Sequence, residues 1–176
     1  MEKLKAPETV SRIFSSTRPC TQPVVDTPTR WDDERQFASF WTIFFEEALG
    51  AGYNKLDKLE MLLFPIWGER HQYVVCFDVP DGKMNIIDHS LAESHASFSY
   101  KYGNTPSLLR KFMGAALDKC KETKLSDLVR SWTTNVVTMP WRNNVVTMEN
   151  GVYVMRHMET YFGEKEKDWD CGLSAK

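Results

Sequence analysis

The stretch His71-Gln72-Tyr73-Val74-Val75-Cys76-Phe77-Asp78-Val79-Pro80-Asp81-Gly82-Lys83-Met84-Asn85-Ile86-Ile87-Asp88 decides the fold. Residues 72–79 and 84–88 are rich in β-branched and aromatic side chains. Asp81-Gly82 between them supplies the positive-φ positions that a tight connection needs. The pattern predicts a β-hairpin, with His71 opening its first strand and Asp88 closing its second. A hairpin brings its two open ends together, so a hydrogen bond between this imidazole and this carboxylate is geometrically easy. The same two residues would also suit a solvated sheet edge, and spacing alone does not separate the two readings.

Upstream, Phe37, Phe40, Trp41, Phe44, Phe45 and Ala48 recur at three- and four-residue intervals. They predict an amphipathic core helix from Asp32 or Asp33 to about Leu49, stopped by Gly50 to Gly52. Leu56, Leu59, Leu62 and Leu63 suggest a further short helix or turn closed by Pro65. Residues 1–35 carry Pro7, Pro19, Pro23 and Pro28 among Ser, Thr and charged residues, the composition of a mobile arm that cannot bury enough apolar surface to fold alone.

Downstream of the hairpin, Tyr102 to Thr105 reads as a turn, and Pro106 suits the first turn of a helix running to about Cys120. Trp132 to Met139 is a β-branched run that ends at Pro140, and Gly151 to Tyr161 returns to helical spacing. Helices and strands thus interleave, and the class is mixed α+β. One string, Asn135-Val136-Val137-Thr138-Met139, recurs as Asn144-Val145-Val146-Thr147-Met148. The offset is too short for a solenoid unit and reads as local duplication immediately before position 150.

Bulk properties bound the function. A chain of 176 residues supports one domain with a real core. A formal charge of -2 gives no general pull toward nucleic acid or acidic membranes, and no apolar run approaches membrane-spanning length. Cys20, Cys76, Cys120 and Cys171 are far apart, without a CxxC pair, as expected of a reduced, intracellular protein. Whether the compartment is nuclear or cytoplasmic is not encoded. His89 and His95 have no Cys or carboxylate at ligand spacing, so neither a metal nor another cofactor is expected. Cys76 reads as a small core hydrophobe and His157 as a surface or helix-end group.

Three segments taken together resemble the C-terminal catalytic part of the ubiquitin-like-protein-specific proteases, the ULP or SUMO protease family, and most of all its plant members. They are His71 to Asp88, Met139-Pro140-Trp141-Arg142, and Gly151-Val152-Tyr153-Val154-Met155-Arg156-His157-Met158-Glu159-Thr160-Tyr161. The likeness covers about residues 60–173, within a domain expected at 36–176. It implies a papain-like cysteine protease fold, α+β and N-terminally truncated, with a SUMO-type ubiquitin-like modifier as partner.

By the family's pattern His71 matches the general base and Asp88 its orienter, while Glu149-Asn150-Gly151-Val152-Tyr153-Val154 matches the nucleophile segment with asparagine in place of cysteine. Asn144 stands near the family's oxyanion-donating glutamine, one methylene shorter but still an amide. Gln72 replaces the tryptophan that clamps a Gly-Gly tail. Asp170-Cys171-Gly172-Leu173 looks like the nucleophile motif but has no helix-length sequence after it, and Trp169 to Leu173 resembles a stretch that plant members carry downstream of the catalytic helix. Asparagine has no ionisable proton to surrender to an imidazole, so covalent catalysis is not expected. A degenerate peptidase domain is therefore one reading; a working cysteine isopeptidase, a non-catalytic binding module and a family fragment are the others.

Overall fold

The computed structural model describes residues 10–20, 24, 32–53, 55–68, 72–91, 97–142 and 150–173, with the side chain of Asn150 not included. Its centre is the expected hairpin. Strands β3 (Gln72–Asp78) and β4 (Lys83–Ile87) pair antiparallel from Asp78 opposite Lys83 to Val74 opposite Ile87. Gly82 takes φ 63 in the turn, a left-handed value that glycine adopts without steric cost.

On one side of β3 lies β2 (Met61–Trp67), antiparallel, and beyond it β1 (Arg12–Phe14), parallel to β2. On the other side β5 (Thr134–Val137) runs parallel to β4, which gives a five-stranded sheet in the order β1-β2-β3-β4-β5. The expectation of a short helix or turn over Leu56, Leu59, Leu62 and Leu63 holds as a turn at its start, where the Leu59 N–H donates to the Leu56 carbonyl, and is corrected at Leu62 and Leu63, which belong to β2. β2 is buried from Met61 to Ile66, with core on both faces, so its sequence shows no period-two alternation and its leucine spacing imitates a helix. Pro65 is tolerated because β1 pairs only with Met61 to Leu63, so no ladder bond to β1 is needed at Pro65.

The described part of the stretch read as an arm is built into this sheet. Ile13 of β1 is buried, Arg18–Cys20 forms a single helical turn (α1), and Cys20 and Val24 are buried with Ile13 in the same core. Three residues suffice because they add to an existing edge. Arg12 then ties the strand to the far end of the chain by donating to the carbonyls of Met158, Glu159 and Tyr161.

Helix α2 (Asp33–Gly50) matches its periodicity, with Asp32 as N-cap accepting from the Arg35 N–H at 2.8 Å. α4 (Thr105–Lys119) follows Asn104, and α5 (Thr123–Ser131) is a helix the sequence reading passed over. The expected turn at Tyr102 to Thr105 is shorter than predicted, because Tyr102 closes another helix, α3 (Phe98–Tyr102), capped by the Ser97 hydroxyl. α2, α4 and α5 cover one sheet face, where Phe40, Phe44 and Phe112 meet Phe64, Val75 and Ile86. α6 (Asn150–Thr160) and the chain after it cover the other, where Val154, Trp141 and Trp169 meet Leu63, Val74 and Ile87. Buried rings in mutual contact, such as Phe40 with Phe112 at 5.5 Å, stabilise the first core beyond their area alone.

Candidate functional site

The open end of the β3–β4 hairpin is where the described chemistry gathers. Asp88 follows β4 directly and is fully buried. Its Oδ1 accepts from the Ser90 N–H at 2.8 Å; its Oδ2 accepts from the Tyr102 hydroxyl at 3.0 Å and lies 2.8 Å from Lys101 Nζ. Lys101 also donates to the Ser90 carbonyl at 2.7 Å, and Arg142 donates to the same oxygen at 3.4 Å. The short helix α3 thus delivers two donors to one carboxylate. Burial, and then the charge of Asp88, push the Tyr102 hydroxyl well above its ordinary range, so it stays protonated and donates.

α6 approaches the same end of the hairpin. Its first residue is Asn150, and a Cβ placed on Gly151 would stand 3.5 Å from Gln72 Oε1. The helix start therefore abuts the first residue of β3, next in sequence to position 71. An apolar groove of about 310 Å³ begins there, lined by Gln72 and Gly151 and continuing along Pro65, Trp67, Val154 and Met155. Trp67 and Met155 are both more than half exposed in it. Of the expected site residues, Asp88 is thus placed and position 150 opens α6; His71 and Asn144 lie outside the described residues, as does the second copy of the repeated string.

The expectation for His157 is corrected. It is fully buried rather than a surface group: Trp141 Nε1 donates to its Nε2 at 3.2 Å, and the Trp169 ring lies 5.4 Å away. Its Nδ1 has no hydrogen-bond partner among the described residues. Burial, followed by the neighbouring His89, lowers His157 to about 3, which keeps the imidazole neutral and able to accept. His89 is buried too, stacked on Tyr153 at 4.3 Å and 6°. By sequence both histidines are weighed only as possible metal ligands and set aside. His157 stands between Arg156 and Met158, and only its place on the same α6 face as Val154 and Tyr161 could have signalled burial.

Burial raises Cys20, Cys76, Cys120 and Cys171 above the ordinary thiol value, whereas attack requires a lowered one. Cys76 is a core strand residue, as read from its sequence context. Cys171 lies in irregular chain, buried with Trp169 against α6, and its carbonyl accepts from Arg156 Nε at 2.7 Å. The Trp169 to Leu173 stretch is thus packing for the second core. Among the described residues no group of three or more His, Cys, Asp or Glu could hold a metal ion, and no helix is long and apolar enough to cross a membrane.

No protein-family model matches the chain, and no curated protein does. Solved structures that are similar to it include SUMO protease Ulp1 with its catalytic cysteine oxidised to a sulfinic acid, 15% identical, with a TM-score of 0.47 over 72% of this chain and 50% of that one. Another is the C-terminal Ulp1 protease domain in complex with Smt3, the yeast ortholog of SUMO, 13% identical, with a TM-score of 0.46 over 72% of this chain and 49% of that one. The chain therefore spans about half the length of these structures.

Proposed function

We propose that the chain is a ULP-type cysteine peptidase domain, of the plant kind, that has lost its nucleophile and serves as a non-catalytic binding module for a SUMO-type ubiquitin-like modifier. The observation that carries this reading is the docking of the helix that begins at Asn150 onto Gln72, the neighbour of His71 in the chain. In such a domain the nucleophile belongs at the start of that helix, where the helix dipole would lower a thiol's pKa. Here the position holds an amide.

In this reading His71 occupies the place of the general base, Asp88 that of its orienter, and Asn144 that of an oxyanion donor. With no attacking atom on residue 150, the pair has only water to activate, and the residual rate of a triad without its nucleophile is small. The apolar groove beside Gln72 and Gly151, with Trp67 and Met155 exposed in it, would receive an extended segment of the modifier. Its mouth carries a flexible amide at Gln72 instead of an indole, so a glycine-only tail would be held less tightly there.

The test uses a SUMO-type modifier with a C-terminal fluorogenic leaving group. The expected result is no turnover by the natural chain, and labelling of the Asn150→Cys variant by a vinyl-sulfone modifier. Turnover abolished by a thiol alkylator would overturn the inactive reading. Failure of a folded Asn150→Cys variant to be labelled would remove the assigned register and the modifier together.

A further inference from the structure

The turn end of the hairpin, opposite the Asp88 end, carries a buried carboxylate that nothing above uses. Asp78 is 3% exposed; its Oδ1 accepts from the Asp81 N–H at 3.2 Å, but its Oδ2 is buried and has no hydrogen-bond partner among the described residues. That oxygen looks toward Gly163, where the chain runs at φ 85 and an added Cβ would come within 3.0 Å of it. Asp78 and Gly163 both line a cleft of about 280 Å³ between the hairpin turn and residues 162–164. Met61, Pro80 and Phe162 give the cleft apolar walls, and Glu60, Asp81 and Glu164 make the remainder acidic.

We propose that this cleft is a binding site for an organic monocation, a guanidinium or ammonium group carried on an apolar stem. A buried carboxylate oxygen without a hydrogen bond is unfavourable, and a charge-assisted hydrogen bond from an entering N–H donor relieves it. The nearby cations are already engaged. Lys83 pairs with Asp81 at 2.7 Å, while Arg12 lies over the Phe162 ring at 3.6 Å and donates to backbone carbonyls. A metal ion fits less well, because no three acidic or other ligating side chains among the described residues converge on one point. Burial, aided by the Asp81 charge and opposed by the Asp81 N–H and the Lys83 charge, raises Asp78 to about 6. The site is independent of the modifier-binding reading.

The experiment titrates the full chain with n-butylguanidinium, with uncharged n-butylurea, and with calcium chloride alone, following backbone amide resonances. Saturable shifts at Asp78, Asp81 and Gly163 with n-butylguanidinium only are expected, and Asp78→Asn should weaken that binding about tenfold or more, the worth of one hydrogen bond to a charged group. A second measurement needs no variant. In the natural chain the affinity should fall as pH drops below about 6, with Asp81, Lys83, Glu60, Glu164 and Tyr161 as the other titratable groups facing Asp78 or lining the cleft. Equal shifts with n-butylurea, the same shifts with calcium alone, no saturable shift, or a pH-independent affinity would each overturn the site.

Discussion

Lys101 Nζ and Asp88 Oδ2 form an ion pair of 2.8 Å in which the two side chains are 6% and 0% exposed. Such a pair ties the end of β4 to α3 at a point where water cannot replace either partner. Lys101→Met takes the cation from a buried carboxylate that the Ser90 N–H and the Tyr102 hydroxyl also serve, and should destabilise the fold by about 3 kcal/mol. The double replacement Lys101→Met with Asp88→Asn removes both charges and should recover part of that loss. Urea unfolding of the three proteins measures both, and a Lys101→Met midpoint equal to that of the natural chain would show the pair to be energetically idle.

Stability should depend on His157. The folded protein binds a proton there only near pH 3, whereas the unfolded chain binds it below 6.5. Between those values the unfolded state holds more protons, so the contribution is complete above 6.5 and is lost as pH falls toward 3. The loss between pH 7.5 and 5 is about 2 kcal/mol. Asp78, raised to about 6 from 3.8, acts with the opposite sign in part of this window. The measurement is therefore the difference in urea midpoints between the natural chain and His157→Gln, which keeps an acceptor for Trp141. A difference that does not shrink on acidification contradicts the assignment.

Two glycines should respond oppositely to alanine. Gly163 has φ 85, and a Cβ there meets Asp78 Oδ2 at 3.0 Å and Met61 Cε at 3.3 Å, so Gly163→Ala should destabilise by about 1–3 kcal/mol. Gly50 closes α2 with nothing within 4 Å of an added Cβ, and Gly50→Ala should be neutral or stabilising by up to about 1 kcal/mol. Thermal unfolding of both variants reads the contrast.

Tyr161 accepts from Asn85 Nδ2 at 3.1 Å, in a place where Asn85 is 2% exposed. Tyr161→Phe takes the acceptor from that amide and should destabilise by about 1–3 kcal/mol, and Asn85→Leu, which strands both the Tyr161 hydroxyl and the Asn135 amide, should cost at least as much. Equal midpoints for Tyr161→Phe and the natural chain would count against it.

The hairpin, α2 and α6 were legible because each is specified locally, by Asp81-Gly82, by an Asp32 cap before an aromatic stripe, and by the helical spacing of Val154, Met158 and Tyr161. Asparagine at position 150 was equally plain, and with it the expectation that no covalent step occurs. β1 and β2 were not legible. Three residues near the N-terminus become a strand only because β2 offers an edge, and β2 shows no alternation because both of its faces are covered. Tertiary structure alone decided the surroundings of the titratable groups: that Asp88 accepts from Tyr102 and pairs with Lys101, that His157 is a neutral acceptor beside two tryptophans, and that one oxygen of Asp78 is buried without a hydrogen bond among the described residues. A titratable side chain's identity is written in sequence. Its charge and partners depend on which distant elements exclude water from it.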